Sequence, residues 1–348
     1  LFCPCMLLYG QVRHMDYLGA GHDNNVNVRA SSSFGSIART TVDGFDISND
    51  EQLIDASRFL AQCTFGADFS TIQMLAAMGY EAWLEEQFSL PEVSYLQESI
   101  DQSKSQYGFG YRLFGSTWTT LNLTTPDILR QRMSFNLSQI MVLSGNTMMI
   151  FQRTDAHPLS AYYDMLQSHS FGNYYNLLYD VSLSPQMGHF LSHYNNPKAD
   201  PANNIHPDEN FAREIMQLFS IGLWQLNKDG SRRRDAQGQL IPSYDNQDIK
   251  EMAEVFTGLG PNIPGGQFGN IFPQTNENWV KPMRMYEAFH DTSDKILLNN
   301  TILPAGQSGM DDISQTIEML STHDNTAHFI CQQLIQKFTT SNPSPQYI

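Results

Sequence analysis

A chain of 348 residues with 36 acidic against 20 basic side chains carries a formal net charge of −16, a field that repels phosphate backbones and argues against nucleic acid as a partner. Apolar residues at 41%, with 21 Phe, 15 Tyr and 4 Trp, supply enough buriable area to exclude a disordered polymer. No apolar run approaches the ~18 residues that a bilayer span requires.

Residues 1 to 47 are rich in Gly, Ser and Asn and read as a poorly ordered lead-in. The opening Leu1 to Leu8 is short and lacks a basic start, so it fits either a signal-sequence remnant or the edge of a fragment. Cys3 and Cys5 are too close for easy pairing, while Cys63 and Cys331 sit in apolar patterns and read as small core residues.

Helical periodicity takes over from residue 48. Leu53, Ala56, Phe59, Leu60 and Cys63 form a stripe behind Asn49-Asp50-Glu51, and Gly66 closes it. Short helices are expected over 70–78 and 81–88, separated by Gly79. Thr125-Pro126-Asp127 reads as cap, first helical position and dipole partner of a helix carrying Leu129, Met133, Leu137 and Ile140. Further helices are expected near 158–170, 173–183, 186–194, 207–226, 245–257, 311–321 and 325–339.

Between Gly258 and Gly309 the chain is dense in Gly, Pro and Asn, with short strands expected over 283–289 and 296–303 and a turn at Asn299-Asn300. The fold class is therefore mainly α: a single multi-helical domain over 48–348 that carries a long irregular loop with a short hairpin near 258–309. Arg232-Arg233-Arg234, beside Gly230 and Gly238, reads as a solvated turn.

The segment richest in chemistry is His206-Pro207-Asp208-Glu209-Asn210-Phe211-Ala212-Arg213-Glu214, continuing to Gln217. Pro207 at the first helical position and two acids behind it mark a helix start. At 100° per residue, Phe211, Ile215, Leu218 and Gly222 share one face, and Asn210, Arg213, Glu214 and Gln217 another. Two readings stand: a buried hydrogen-bonded network that fixes helix packing, or a site in which Glu209 or Glu214 is a tuned acid or base and Arg213 holds an anionic group.

His189 and His193 are four apart, the spacing at which one helix face can chelate a metal ion, but Phe190 stands where a zinc helix carries Glu. Phe289-His290-Asp291 lies in the irregular region, where a carboxylate can orient a histidine. His169 closes a helix. Nucleophile elbow, phosphate loop and dinucleotide fingerprint are missing, so the sequence assigns no cofactor.

At these residues the chain resembles the bacterial family catalogued as domain of unknown function 1800. The resemblance begins near Ala56-Ser57-Arg58-Phe59-Leu60 and runs through Leu129-Arg130-Gln131-Arg132-Met133 and Ser168-His169-Ser170-Phe171-Gly172-Asn173. It is strongest over Pro207–Phe219, and continues in Tyr244–Ile249, Phe256-Thr257-Gly258 and Phe289-His290-Asp291 with Lys295.

The resemblance implies an exported protein, periplasmic or secreted, with a secreted sulfatase-like protein as the expected partner and no agreed reaction. It points to Glu209, Arg213, Glu214, His290 and Asp291 as the acid–base candidates and to Asn210, His169, Gln217 and Lys295 as binding residues. Many members carry Trp-His-x-His where this chain reads Phe135-Asn136-Leu137-Ser138, so a metal held there elsewhere is expected to bind poorly here. Members also continue past Pro345, which implies that a C-terminal part of the domain is lacking. A pocket built by the 206–217 helix, His169 and His290 is the leading expectation. A non-catalytic assembly or carrier role displaying Tyr174, Tyr175 and Tyr179, and a metal-dependent oxidoreductase using the histidines, are the alternatives.

Overall fold

The computed structural model describes residues 51–104, 110–144, 157–263, 265–269 and 277–348. The expectations for residues 1–47, Cys3 and Cys5 among them, lie outside the described residues. The rest falls into two compact units that divide after Ser89.

The first unit holds α1 (Glu51–Cys63), α2 (Phe69–Met78) and α3 (Tyr80–Ser89). Leu53, Ala56 and Leu60 are the buried stripe of α1, and Phe59 sets its ring edge-on to the buried Trp83, centroids 5.6 Å apart. Asp68 caps α2 by accepting from the Thr71 amide. Cys63 is only partly covered here, and Cys331 in the second unit is exposed, which corrects the reading of both as core residues.

In the second unit, α4 (Tyr95–Ser103) and α5 (Gly110–Thr124) precede the expected helix α6 (Ile128–Ile140). Asp127, not Thr125, takes the cap position of α6, and the Thr125 hydroxyl bonds back to the Leu121 carbonyl. The buried face of α6 is largely polar: the Tyr95 hydroxyl donates to Gln131, whose amide donates to Asp127 and to Gln167 of α7 (His157–Ser168). These bonds tie α4, α6 and α7 together, although the buried Asn136 amide on α6 has no partner among the described residues.

Asn173 caps α8 (Tyr174–Leu183), and Ser184 caps α9 (Pro185–Phe190) with Pro185 at its start. Next come α10 (Asn210–Gln217) and α11 (Asn246–Val255), whose Asp245 and Asp248 form a reciprocal capping box. The helix expected over 207–226 is thus only eight residues long. Beyond Gln217 the amides of both Ile221 and Gly222 turn back onto the Met216 carbonyl. Gly222 has φ +71°, and a Cβ there would stand 2.8 Å from the Phe329 ring, so both the turn and the close approach of Phe329 call for glycine. The apolar run continues through the turn, with Phe219 and Ile221 fully buried but Leu218 exposed.

The irregular region resolves into two small antiparallel pairs and a four-residue helix α12 (Glu277–Val280). β1 (Leu259–Gly260) pairs with β2 (Arg284–Met285), and β3 (Lys295–Leu297) with β4 (Thr301–Leu303) through a turn in which Asn299 and Asn300 both take φ +57°. Ser308 caps α13 (Gly309–Thr322), and α14 (Asp324–Phe338) follows. The fold is mainly α. Its second-unit core draws Leu178 and Val181 from α8, Phe211 and Ile215 from α10, Met252 from α11, and Ile313 and Ile317 from α13.

Candidate acid–base site

Of the residues singled out by sequence, His290, Asp291 and Lys295 come together where the end of α11, the loop before β3 and the start of α13 meet. His290 and Lys295 are both 0% exposed and share one carboxylate, Asp312, at 3.2 and 2.9 Å. The Lys295 ammonium also donates to the carbonyls of Asp291 and Ser293, and Gln307 donates to the second Asp312 oxygen. Burial works against the Asp312 charge, but the donations from His290, Lys295 and Gln307 outweigh it and hold this carboxyl below its ordinary range.

The other His290 nitrogen, Nδ1, lies 3.0 Å from the Thr257 carbonyl, so an oxygen partner at each ring nitrogen fixes the orientation of the imidazole. Thr257 donates its hydroxyl to the Glu254 carbonyl and accepts from the Asp291 amide, which ties α11 to the loop. Two glycines let the backbone come this close. Gly258 holds φ +84°, and a Cβ on Gly309 would stand 2.4 Å from Met285 Cε and 3.0 Å from His290 Cγ. Gly309→Ala is expected to cost about 1–3 kcal/mol through overpacking, read as a lower urea midpoint; an unchanged midpoint would show that Met285 simply moves aside.

Two carboxylates edge this core on its solvent side. Burial tends to raise Asp291, but donation from Ser293 and the charges of Lys295 and His290 hold it low. Glu254 shifts the opposite way. Burial first, then the charges of Asp291 and Glu251, push it up to about 7 against the pull of Lys295. Glu251, one helical turn earlier, lines a groove of about 380 Å³ with Asp245, Asp248, Ile296 and Leu297. Glu254, Thr257 and Asp312 were not identified from sequence.

The α10 row forms a separate cluster. Arg213 reaches Glu209 at 3.4 Å, both half-exposed, a surface pair of small energetic weight. Asn210 is exposed. Gln217 accepts from the Tyr244 hydroxyl, and Glu214 beside it has one buried oxygen without a partner. Burial raises the Glu214 carboxyl, with Arg213 opposing. His169 instead meets Asp180 of α8 at 2.7 Å. Among the described residues no hydrogen bond or ion pair joins the α10 row, His169 and the His290 network.

The histidine pair departs from expectation because α9 ends at Phe190 and Ser192 takes φ +67°, so His189 and His193 do not share a helix face. His193 is buried, stacks on Phe211 at 3.8 Å and gives Nε2 to the Ser182 carbonyl. His189 packs against both Tyr194 and Trp279, centroids 4.0 and 4.7 Å away. No group of three or more His, Cys, Asp or Glu side chains is placed to hold a metal ion among the described residues.

Tyr174, Tyr175 and Tyr179 are not an exposed aromatic surface either. They lie against the core, where Tyr174 donates to the Phe219 carbonyl and Tyr175 bonds Ser314. No helix among the described residues is long and apolar enough to cross a membrane.

Residues 58–348 match the family model described as protein of unknown function, DUF1800. No curated protein and no solved structure matches the chain.

Proposed function

The chain belongs to the DUF1800 family, and from that premise we propose that it is an exported bacterial protein whose acid–base centre is the Glu254–Asp291 pair. What supports the reading is a pair of neighbouring carboxyls, linked through Thr257 between the Glu254 carbonyl and the Asp291 amide, that shift in opposite directions: Asp291 is held low and Glu254 is pushed up to about 7. A carboxyl poised there can give or take a proton at neutral pH, as an acid–base catalyst must. Glu254 is the proton carrier in this reading and Asp291 the fixed negative charge. His290, Lys295 and Asp312, being closed off from solvent, are positioning residues that hold the 290–295 loop against α11.

The Arg213–Gln217 row is assigned a binding role, with the Arg213 guanidinium available to an anionic group on a substrate. Export to the periplasm or beyond, and a secreted sulfatase-like partner, are supported by the family resemblance; an alkaline phosphatase fusion that stays inactive in the native host would remove the first.

The chemistry is tested with the purified protein on a panel of chromogenic glycosides, sulfate esters and carboxylic esters between about pH 5 and 9. Turnover is expected on at least one class, falling as pH rises above about 7 as the acid is lost, and reduced by about a hundredfold or more in Glu254→Gln. Asp291→Asn is expected to move the pH limb as well as the rate. No turnover across the panel, or full turnover in Glu254→Gln, would overturn the assignment.

A further inference from the structure

The β3–β4 hairpin exposes a surface that the acid–base reading does not use. Ile296 and Ile302 are direct cross-strand partners, and so stand on the same face, at 53% and 63% exposure; the opposite face buries Lys295, Leu297 and Leu303. The backbone defines what this surface can bind. The Ile296 amide points out of the ladder to Glu251, 3.1 Å away, so Ile296 and Ile302 form a non-hydrogen-bonded pair. In such a pair the amide and carbonyl of the opposite residue also point outward, here from Ile302 toward the free side of β4.

That side borders a groove of about 600 Å³ between Thr301 and the α13 side chains Ser314, Glu318 and Met319, ending at Asp324. No Lys or Arg lines it; His323 does, but burial holds its imidazole below the ordinary range against the pull of Asp324, and among the described residues neither Glu318 nor Asp324 has an ion-pair partner. Open backbone groups call for an extended chain, the isoleucine pair for an apolar side chain, and the unbalanced carboxylates for positive charge.

We propose that the free edge of β4 docks an extended basic segment of a partner protein, which pairs with Ile302 and places cationic side chains beside Glu318 and Asp324. Binding by strand addition draws its affinity from main-chain hydrogen bonds and its selectivity from alternate side chains. The chain's net charge of −16 favours the encounter at range.

The probe is a short peptide of alternating lysine and valine, titrated into the full chain by fluorescence anisotropy, with a proline-interrupted peptide of the same composition beside it. The alternating peptide is expected to bind, and to lose about tenfold or more in affinity with Ile302→Lys and with Glu318→Lys. The proline version should bind as weakly, since it cannot supply the amides. Leu123→Lys, at an exposed position on α5, should leave binding unchanged. Ile302→Lys on the hairpin and Glu318→Lys on α13 both fall on solvent-facing side chains, and unchanged circular dichroism will show that the fold survives them. No binding, equal binding of the two peptides, or binding indifferent to Ile302 and Glu318 would each overturn the proposal. So would a dimer of the wild-type chain that Ile302→Lys dissolves, because a second copy would then be the occupant.

Discussion

Asp312→Ala is expected to destabilise the second unit by about 3–5 kcal/mol, the largest loss of any single substitution near the site. The reason is what the change leaves behind. Lys295 and His290, both without solvent contact, would lose the one carboxylate they share, and an uncompensated buried charge costs more than the intact pair contributes. Gln307 would lose its acceptor as well. Asp312→Asn keeps the volume and one acceptor oxygen, so a smaller loss is expected.

The pH dependence has a definite sign. A carboxyl held below its ordinary range in the folded state contributes stability above that range and loses it as pH falls through the folded value. The gap between wild type and Asp312→Ala should therefore be full at neutral pH and narrow only in strong acid. Urea unfolding at neutral and acid pH checks both points; a loss under about 1 kcal/mol at neutral pH would mean that Lys295 and His290 find other partners.

Much of this arrangement could be anticipated, and the failures have physical causes. Helices with an apolar stripe or a local cap were legible, as with Leu53, Ala56 and Leu60 on α1 or Asn173 before α8. Helix α4 was not, because its buried side includes Ser99, which bonds Thr117 and Ser160, and the hydroxyl end of Tyr95, which donates to Gln131. Hydrophobic periodicity cannot register a face that is buried but polar. The segment after Gln217 failed in the other direction: Phe219 and Ile221 keep the apolar signal going while Gly222 turns the backbone.

At the site, His290, Asp291 and Lys295 were visible as chemistry-bearing residues in an irregular stretch. Their partners were not, since Asp312 lies 22 residues and Thr257 33 residues from His290, and no local spacing rule spans such distances. Glu254 looked like any acid on a helix. Its proton affinity is set by its burial and by Asp291 and Glu251, which only the folded chain supplies.

Glu254→Gln is expected to do two opposite things, and the pair of effects separates a tuned acid from a structural one. The folded carboxyl titrates at about 7 against an ordinary value of 4.5, so the folded state holds its proton more tightly than the unfolded chain does. The sign follows: ionised Glu254 costs nothing below about pH 4.5, and its cost sets in as pH rises and is complete above about 7.

Glutamine imitates the protonated form, so the variant should be more stable than wild type at about pH 8, by on the order of 1 kcal/mol after allowing for solvent screening, and no more stable at about pH 4. His189 and His193 act the other way in both proteins. Burial depresses them to about 4 and about 3, so their contribution is present above 6.5 and is lost on acidification. Taking the difference between variant and wild type removes that shared slope and isolates Glu254. A gain at high pH together with lost turnover is the signature of a group kept at a cost to stability because the reaction needs it. A gain of equal size at both pH values, or none at pH 8, would show that Glu254 does not hold the proton, and the acid–base site would lose its basis.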